Sequence, residues 1–497
     1  MITEWQIDME RLKSVMAFDQ ASPLLFNTGL FMLLFVAFMG VYTLLRGHRT
    51  VKMIAVILFS LYFYYKSSAE YCFILLGVCL SDYVLGILLG KARRVWVRKC
   101  IVALNVTVNL GMLVCFKYLN LLLDTVASFA DKAFDPLDII LPAGISFFTF
   151  RSISYMVDIY RGHIEPCRSF LSYVFFLTFF PPLLAGPVVR ARDMLPQVEA
   201  APVATSAMVS EGLFLIIAGL IKKVIVADFI SQNFVDRVFD NPSLYSGFEN
   251  LLAIYGFTLQ LYCDFSGYSD MAIGIALLMG YRFFDNFRSP FKSQSPTEFW
   301  HRWHISLSTW LRDYVYIPLG GNRKGNARRH ANLMTTMVLG GLWHGASWMY
   351  VIWGAWHGFL LVMHKAFKSL FPSLPDNKRR SWWRVAGNVF LTFNLVALGF
   401  MFFRAESMEK VGEMTRQIFC DFHLSVAPQF VEGYMMIVLI MVAGFAMHFA
   451  PTRWTEKTKA CFHRLGPWGQ TIVLVIVLMI IIQVRQSDIV PFIYLQY

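Results

Sequence analysis

The sequence predicts an all-α protein that crosses a membrane many times, and three observations support that prediction. Apolar residues make up 57% of the 497 residues and charged residues only 15%, whereas soluble chains carry about 25% charged residues. The mean hydropathy is +0.53. Apolar runs of about 20 residues, the length a spanning helix needs, recur almost from end to end. We therefore expect about eleven to thirteen membrane helices in a single membrane-embedded domain, residues 1–497.

The apolar runs place the predicted helices in chain order. Some runs are short, and the run at 247–280 is long enough to form either one tilted helix or a broken pair. The predicted membrane segments lie near residues 25–45, 51–65, 70–90, 100–124, 139–159, 170–187, 209–230, 247–280, 332–350, 351–367, 387–403, 433–449 and 469–484.

Basic loops predict the orientation of the chain in the membrane. Lysines and arginines cluster at 46–52 and 91–99, with two predicted crossings between them, so both loops can lie in the cytoplasm. The tip at 66–70 and the N-terminus would then face outward. Basic loops at 323–329 and 378–384 are further cytoplasmic candidates.

Charge and cysteine usage disfavour two other classes of protein. The net charge of +12 follows from basic residues in short loops, so it does not indicate a nucleic-acid partner. The eight cysteines lie mostly in or beside apolar runs and form no CxxC pair. The sequence therefore indicates neither a disulfide framework nor a zinc site, and we expect no metal.

Residues 281–331 do not have the pattern of a simple helix. Charged residues, prolines and a glycine pair alternate there with aromatic residues every few positions. Irregular backbone survives at membrane depth only where protein or a water-filled cavity surrounds it. We therefore interpret the segment as re-entrant and half-embedded. A cytoplasmic loop with an amphipathic interfacial helix explains the spacing equally well.

Histidines are the most informative residues. Four of them each follow a tryptophan between residues 298 and 358, namely His301, His304, His344 and His357. An ionisable imidazole is costly inside a bilayer, so histidines clustered between apolar segments indicate chemistry in a membrane-embedded cavity.

Four stretches resemble the membrane-bound O-acyltransferase family, most closely its alginate O-acetyltransferase branch. Together they are distributed over residues 140–360, and polar positions recur in them in the order typical of that branch. The stretches are LPAGISFFTF at 141–150 with Asp158 and Arg161, FFPPLLAGP at 179–187 with Arg190, DFSGYSDMAIG at 264–274 with Asn286 and Phe287, and the histidine-rich region at 298–358.

The resemblance implies a fold, an activity and a place in the cell. The fold would be a ring of tilted helices around a thin centre, with funnels from both sides. The activity would be transfer of an acyl group from a cytosolic thioester, with acetyl-coenzyme A as co-substrate and no permanently bound cofactor. His344 matches the family's catalytic histidine and His304 a second one. The expected location is the bacterial cytoplasmic membrane, as a multi-pass protein.

Elementary chemistry agrees with such a role for histidine. An alcohol attacks a thioester poorly until a base takes its proton, and neutral imidazole, with an ordinary pKa of about 6.5, suits that task. The tetrahedral intermediate also needs hydrogen-bond donors. The sequence leaves these open among His304, the indole N–H of Trp343 or Trp348, and the backbone at 340–345.

Other polar residues have less specific interpretations. His301 is favoured as an interfacial side chain. His357 lies thirteen residues after His344, which on one straight helix places the two on nearly opposite faces, so packing is favoured. Asp264 and Asp270 lie in apolar sequence and must be paired or face a cavity. Polyanionic coenzyme A would need cations. Natural candidates are Arg302, Arg312, Arg323 and Lys324, although positive-inside bias explains them as well.

Three functions compete. The favoured one is O-acetylation of an extracytoplasmic polysaccharide, for which the resemblance implies a separate SGNH-type partner protein outside the membrane. The second is D-alanyl transfer to teichoic acid from a carrier-protein thioester. The third is a polysaccharide transporter or export channel, which predicts inverted repeats, and the sequence shows no such repeat.

Overall fold

The structure is a computed structural model that describes residues 9–19, 22–370, 381–484 and 492, and every regular element in this part of the chain is helical. The helices, in chain order, are α1 Met9–Met16, α2 Gly29–Leu44, α3 Arg49–Ser68, α4 Cys72–Lys91, α5 Val95–Leu113, α6 Leu119–Phe129, α7 Ile145–Arg161, α8 Phe170–Thr178, α9 Ala191–Ala200, α10 Ser206–Leu220, α11 Asp236–Asp240, α12 Gly247–Leu278, α13 Pro296–Arg302, α14 Ile305–Leu311, α15 Gly325–His344, α16 Trp348–Leu370, α17 Trp382–Arg404, α18 Met408–Cys420, α19 Ala427–Gly433, α20 Met435–Phe449, α21 Thr452–Arg464 and α22 Gly466–Val484.

Several helices are apolar enough to cross a membrane. By length and composition, the described residues contain four such spans, at Arg49–Lys91, Val95–Phe129, Trp382–Arg404 and Gly466–Val484. A fifth is added if Leu424–Gly433 and Met435–Phe449, which meet at 97°, form one broken span. These helices agree with a multi-pass membrane protein. The predicted number of about eleven to thirteen membrane helices would have to include shorter and more polar helices, so it stays a prediction.

The structure shortens one predicted segment and decides between the two alternatives for another. In the run at 170–187, the helix ends at Thr178, because Pro181 and Pro182 follow closely and cannot continue it. The run at 247–280 forms one uninterrupted helix of 32 residues rather than a broken pair. Its first turn carries a capping box in which Ser246 and Glu249 satisfy each other's backbone N–H groups.

The described chain divides into two compact units. The first contains residues up to 119, 135–185 and 189–202. Its interior holds a buried polar network, in which Asn105 Nδ2 donates to Asp82 Oδ1 over 2.6 Å and Tyr173 Oη donates to Asp82 Oδ2 over 2.7 Å. These groups come from α4, α5 and α8, so the network joins three helices that are otherwise held by apolar contact.

The basic and acidic loops of the first unit allow the predicted orientation to be tested. Glu70 and Gly47 are exposed. In a background that lacks the exposed residues Cys100, Cys115, Cys420 and Cys461, we expect Glu70→Cys to react with an impermeant maleimide on intact cells. Gly47→Cys should react only after permeabilisation, because the positive-inside rule places its loop in the cytoplasm. The reverse pattern would invert the topology.

The second unit contains residues 120–134, 186–188 and 203 onward. Its centre is the long helix α12, which α10 contacts backbone to backbone. A Cβ on Gly219 would lie 2.5 Å from the carbonyl oxygen of Gly267, and a Cβ on Gly267 would lie 2.8 Å from that of Gly219. Because neither position tolerates a side chain, the two helices approach more closely than ordinary residues allow.

Buried ion pairs join the same region. The ammonium of Lys223, which has no exposed surface, lies 2.8 Å from a carboxylate oxygen of Asp228 and 2.5 Å from one of Asp264. Lys222 contacts Asp270 at 2.6 Å. The two aspartates in apolar sequence are therefore paired, as expected for carboxylates buried in a membrane protein.

Removing the central lysine should unfold this region. We expect Lys223→Met to lower the free energy of unfolding by about 3–5 kcal/mol, because two carboxylates would lose their buried cation. Thermal unfolding in detergent measures the loss. Lys222→Met is the matched control and should cost less, since its partner Asp270 keeps 21% of its side chain exposed. Equal stability of the Lys223 variant and the wild type would show that the cluster does not hold the fold.

Residues 281–331 are irregular, as the sequence predicted, but most of their core-facing side chains are enclosed by protein. Two seven-residue helices, α13 and α14, are followed by a π-helical turn at Arg312–Tyr316 before α15 begins. Asn286, Trp303 and His304 are each at most 2% exposed. This enclosure is the condition under which irregular backbone can exist at membrane depth.

Candidate active site

The helical hairpin of α15 and α16 places His344. A Cβ on Gly354 would lie 2.5 Å from the carbonyl oxygen of Met337 and 3.1 Å from the Cα of Gly341, so the two helices touch through their backbones. Helix α15 ends at His344, and Gly345 follows in extended conformation, where any side chain would collide with the ring of Tyr350. The close contacts at Gly354 and Gly345 therefore fix the position of His344 at the end of α15.

Aromatic rings surround His344, whose side chain is only 5% exposed. Its ring centroid lies 4.8 Å from that of Trp343, 4.8 Å from that of Trp353 and 5.3 Å from that of Phe403. All three contacts are edge to face. Such an environment fixes the orientation of the imidazole and excludes bulk water from its faces.

His304 lies in the connection between α13 and α14 and has no exposed surface. Its backbone is left-handed, with φ 42° and ψ 57°, a conformation that few residues other than glycine adopt. Strain of this kind persists only where the surrounding structure determines it, and it occurs often at functional sites. The left-handed residue turns the chain so that α14 begins directly after the histidine.

Asn286 orients the imidazole of His304. Its Oδ1 accepts from the backbone N–H of Ser306 over 3.2 Å and from the Ser306 hydroxyl over 2.9 Å, and it lies 3.1 Å from Nδ1 of His304. Because a backbone N–H can only donate, the atom it contacts must be the amide oxygen. Nδ1 of His304 therefore carries the proton, and the lone pair is on Nε2.

Burial determines the charge of His304. Desolvation lowers the pKa of this imidazole well below its ordinary value, because a buried site disfavours the charged form. Aromatic rings complete the enclosure, with Phe265 edge to face at 4.6 Å and Phe287 stacked at 6.3 Å. His304 is accordingly a neutral group near physiological pH.

Trp343 brings the two predicted catalytic histidines together. Its ring centroid lies 6.0 Å from that of His304 and 4.8 Å from that of His344. Residues 40 positions apart in the sequence thus share one tryptophan, which is 5% exposed. Trp348, the other indole candidate of the sequence analysis, is 55% exposed and its Nε1 donates to Thr125 over 3.4 Å, so it is not part of this centre.

A cavity of about 420 Å³ is lined by Ile305, the residue after His304, and by Trp300, whose ring lies 5.8 Å from that of Trp353. Its wall is mainly apolar and includes the buried residues Trp300, Leu311 and Met337, and it also carries hydroxyl groups and cations. It is lined by Thr297, Trp300, His301, Ile305, Ser308, Thr309, Leu311, Arg312, Tyr316, Leu333, Thr336, Met337, Leu361 and Lys365.

One of the four cations predicted to contact coenzyme A lies on the wall of this cavity. Arg312 lines it, with its Nε 2.8 Å from Asp313. Arg302 instead pairs with Glu298 at 2.7 Å. Arg323 and Lys324 are exposed and do not line this cavity. Lys365 is a cation on the cavity wall that the sequence analysis did not select.

The remaining histidines have different surroundings. His301 is exposed and lines the cavity, and it shares no helix with His304 because α13 ends between them. His357 has no exposed surface, and its ring contacts Trp353 at 4.9 Å. Trp353 also contacts His344. The break between α15 and α16 therefore places His344 and His357 against the same tryptophan, so the expectation of opposite faces on one straight helix does not apply.

Sequence reasoning missed the functional roles suggested by Asn286, Trp300 and Trp353. Asn286 stood among the polar positions that carried the family resemblance, and this was the available signal. The two tryptophans had no signal beyond the aromatic character of the region. Their importance depends on contacts between separate helices.

Comparisons with known proteins find similarity to acyl-transferring enzymes. Residues 167–404 match the model of the membrane-bound O-acyltransferase family. The probable alginate O-acetylase AlgI of Pseudomonas putida is 39% identical over 86% of this chain and 87% of its own length. The peptidoglycan O-acetyltransferase of Helicobacter pylori is 33% identical over 80% of each chain. The teichoic acid D-alanyltransferase of Bacillus subtilis is 29% identical over 54% of this chain and 70% of its own.

The similarity covers the histidine pair, the cavity and most of both units. The relatives named above are acyl-transferring enzymes, and the matches extend far beyond the apolar helices. The chain therefore belongs to the membrane-bound O-acyltransferase family, in the branch of the alginate O-acetylases, and it is a multi-pass membrane O-acyltransferase.

Proposed function

We propose that this enzyme moves an acetyl group from acetyl-coenzyme A to hydroxyl groups of an extracytoplasmic polysaccharide. The observation that carries the proposal is the buried pair His304 and His344, bridged by Trp343. Ile305, the residue after His304, lines a cavity that has cations on its wall. The similarity to alginate O-acetylases, which is higher and more extensive than that to the D-alanyltransferase, favours acetyl as the transferred group.

His344 acts as the general base in this proposal. The acceptor hydroxyl loses its proton to the imidazole as its oxygen bonds to the carbonyl carbon of the thioester. The tetrahedral intermediate then collapses, the carbon–sulfur bond breaks, and the proton passes from the imidazolium to the departing thiolate. The net exchange is one ester for one thioester, with no oxidant or metal needed. Base catalysis of this kind contributes about 10²–10⁴-fold.

His304 assists as a neutral group. Its Nδ1–H is directed to Asn286, so Nε2 offers a lone pair, not a proton. It therefore suits an acceptor role, orienting the substrate hydroxyl, better than the oxyanion-donor role considered from sequence. Trp343, whose indole N–H is a donor only, remains a candidate for the oxyanion among the groups named there.

The donor enters the cavity between α13, α15 and α16. The cationic side chains of Arg312 and Lys365 suit the phosphates, and the hydroxyls of Ser308, Thr309 and Thr336 suit the amides of the pantetheine arm. The acyl end would then approach Trp300 and Met337, two buried residues of the cavity wall. Arg302, Arg323 and Lys324 stay predicted contacts for the part of the donor outside the cavity.

Location and partner follow from the same proposal. We place the enzyme in the bacterial cytoplasmic membrane, with the donor on the cytosolic side. An SGNH-type protein outside the membrane would complete transfer to the polymer, as the resemblance to the alginate O-acetylase branch implies.

The decisive experiment measures thioester consumption by the purified enzyme. Protein in detergent or nanodiscs receives radiolabelled acetyl-coenzyme A, the extracytoplasmic partner and polysaccharide, and the products are release of free coenzyme A and labelled polymer. Turnover that requires both acceptor and His344 supports the proposal. Acceptance of D-alanine from a carrier-protein thioester, without use of acetyl-coenzyme A, would establish the D-alanyl alternative. Polymer movement without thioester cleavage would indicate a transporter.

Charge removal at the cavity tests the donor site. We expect Lys365→Ala and Arg312→Ala each to raise the KM for acetyl-coenzyme A about 5- to 10-fold with kcat little changed, since a charge-assisted hydrogen bond contributes about 1–3 kcal/mol and the exposed arginine is screened by solvent. Phosphates far from the reacting bond bind ground and transition states equally. Steady-state kinetics at low salt measures both constants.

The matched control is Lys368→Ala, an exposed lysine three residues further along α16. Its KM should stay at the wild-type value. Arg323→Ala and Lys324→Ala decide whether the donor also reaches the loop before α15. If Lys368→Ala raised KM as much as Lys365→Ala, the effect would be a general surface-charge effect and the cavity would lose its assigned role.

A further inference from the structure

Three buried rings beside His344 carry polar atoms that the proposed mechanism does not use. Trp300, Trp353 and His357 form a triangle, with ring centroids 5.8 Å apart between the tryptophans, 4.9 Å from Trp353 to His357 and 5.2 Å from Trp300 to His357. Their exposed fractions are 8%, 1% and 0%. We refer to these three residues as the indole–imidazole triangle.

None of the four ring nitrogens in the indole–imidazole triangle is hydrogen-bonded to a described residue. Leaving such groups unsatisfied costs about 1–3 kcal/mol each, and buried polar side-chain atoms are rarely left without a partner. Three such residues in mutual contact indicate a site that a ligand completes. Elsewhere on α16, the indole of Trp356 shows the ordinary arrangement, since its Nε1 donates to the carbonyl oxygen of Leu395 over 2.9 Å.

The position of the triangle connects the cavity to the base. Trp300 lines the 420 Å³ cavity, and Trp353 contacts His344 at 4.8 Å, edge to face. The triangle therefore extends from the cavity wall to the ring that contacts His344. Phe299 and Phe400 close its outer side, at 6.0 Å and 6.3 Å from the ring of His357.

The chemistry of the triangle selects an oxygen that accepts hydrogen bonds. An indole N–H only donates, and a neutral imidazole has one N–H and one lone pair. Donors therefore outnumber acceptors. The surrounding rings present apolar faces, which suit a methyl group. Gly399 on α17 packs closely against His357, because a Cβ there would lie 2.9 Å from its Nε2.

We propose that the indole–imidazole triangle binds the carbonyl oxygen of the donor's acyl group and holds the acyl carbon next to the hydroxyl that His344 deprotonates. The proposal deepens the acyl transfer proposed above and rests on it. It assigns Trp300, Trp353 and His357 to contact with the acyl group. Their hydrogen bonds strengthen as negative charge develops on the carbonyl oxygen during attack, which is the property of an oxyanion site.

Phenylalanine substitutions test the proposal, because they keep a ring and remove the polar nitrogen. We expect Trp353→Phe to lower kcat about 10²-fold, the magnitude for loss of one oxyanion donor, and Trp300→Phe and His357→Phe to lower it at least about 10-fold. Their melting temperatures without donor should equal or exceed that of the wild type, since an unsatisfied buried group is removed.

Trp356→Phe is the matched control. It removes an indole that is already satisfied, so the melting temperature should fall while kcat stays within twofold of the wild type. The opposite outcome, in which the three phenylalanine variants lose melting temperature but keep wild-type kcat, would mean that the triangle holds a structural water only and would overturn the proposal.

A binding measurement separates this inference from the proposed function. Acetyl-coenzyme A and coenzyme A differ only in the acyl group, so the difference between the melting-temperature shifts they cause reports on the acyl site without turnover. We expect a larger shift with acetyl-coenzyme A in the wild type and equal shifts in Trp353→Phe and His357→Phe. An enzyme that shows this pattern but no turnover contradicts the acetyl-transfer assignment alone. Unchanged differences in both variants refute the triangle.

Discussion

Replacing His344 with alanine or glutamine is expected to abolish acetyl transfer while the chain inserts in the membrane at wild-type abundance. The imidazole is the group positioned to take the hydroxyl proton, at the end of α15 and enclosed by Trp343, Trp353 and Phe403. Loss of a general base costs about 10²–10⁴-fold. Glutamine should fail as completely as alanine, because its amide has no basic nitrogen at neutral pH.

The measurement is labelled acetate on the polymer, together with release of coenzyme A and immunoblots of the membrane fraction. A fall in protein level equal to the fall in activity would assign His344 to packing. Wild-type acetylation in either variant would exclude the histidine mechanism. His448→Gln is a suitable control, because that buried histidine accepts the backbone N–H of Phe291 over 3.1 Å and so has a structural contact of its own.

The class of protein and the pair of central histidines could be predicted from the sequence. Low charge and recurrent apolar runs make exposure of such a chain to water unfavourable. These two features therefore indicate a membrane protein directly. His304 and His344 were predicted as site residues from the family resemblance of local motifs. The structure adds that one residue, Trp343, contacts both rings, which no spacing along the chain reveals.

The position of His357 shows where spacing arguments stop. Thirteen residues on one straight helix would separate it from His344, but α15 ends at His344 and α16 begins at Trp348. Gly345, Ala346 and Ser347 lie between the two helices, and Gly345 is extended. A glycine directly after the histidine was a signal for this break. The backbone contact between Gly341 and Gly354 was not visible in sequence, because it depends on how the hairpin closes.

Charged residues were harder to place. Arg302 and Arg312 are ten residues apart, yet only Arg312 reaches the cavity, because Arg302 is held by Glu298 one turn earlier on α13. Lys365 reaches the same cavity from a helix more than fifty residues away. Distance along the sequence therefore says little about which cation contacts a ligand. The fold determines which side chains form ion pairs and which ones line the cavity.

His304→Ala should lower kcat by about 10²–10⁴-fold, the range for a group that assists proton movement, while the KM for acetyl-coenzyme A stays near the wild-type value.

The geometry makes a sharper prediction about Asn286. Its Oδ1 holds Nδ1–H of His304, so Asn286→Ala should lower kcat in the same direction by freeing the ring. Asn286→Asp keeps an acceptor oxygen at that position and should retain more activity than Asn286→Ala.

A purely structural role for this pair would give a different result. Asn286 also accepts from Ser306 and donates through Nδ2 to Ser269 over 3.1 Å, so its loss should lower the melting temperature in any case. Stability alone therefore decides nothing, and the readout is kcat per folded molecule. If His304→Ala and Asn286→Ala lost melting temperature but kept kcat per folded molecule, His304 would be a packing residue. If Asn286→Asp restored kcat without restoring stability, orientation of the imidazole would be its function.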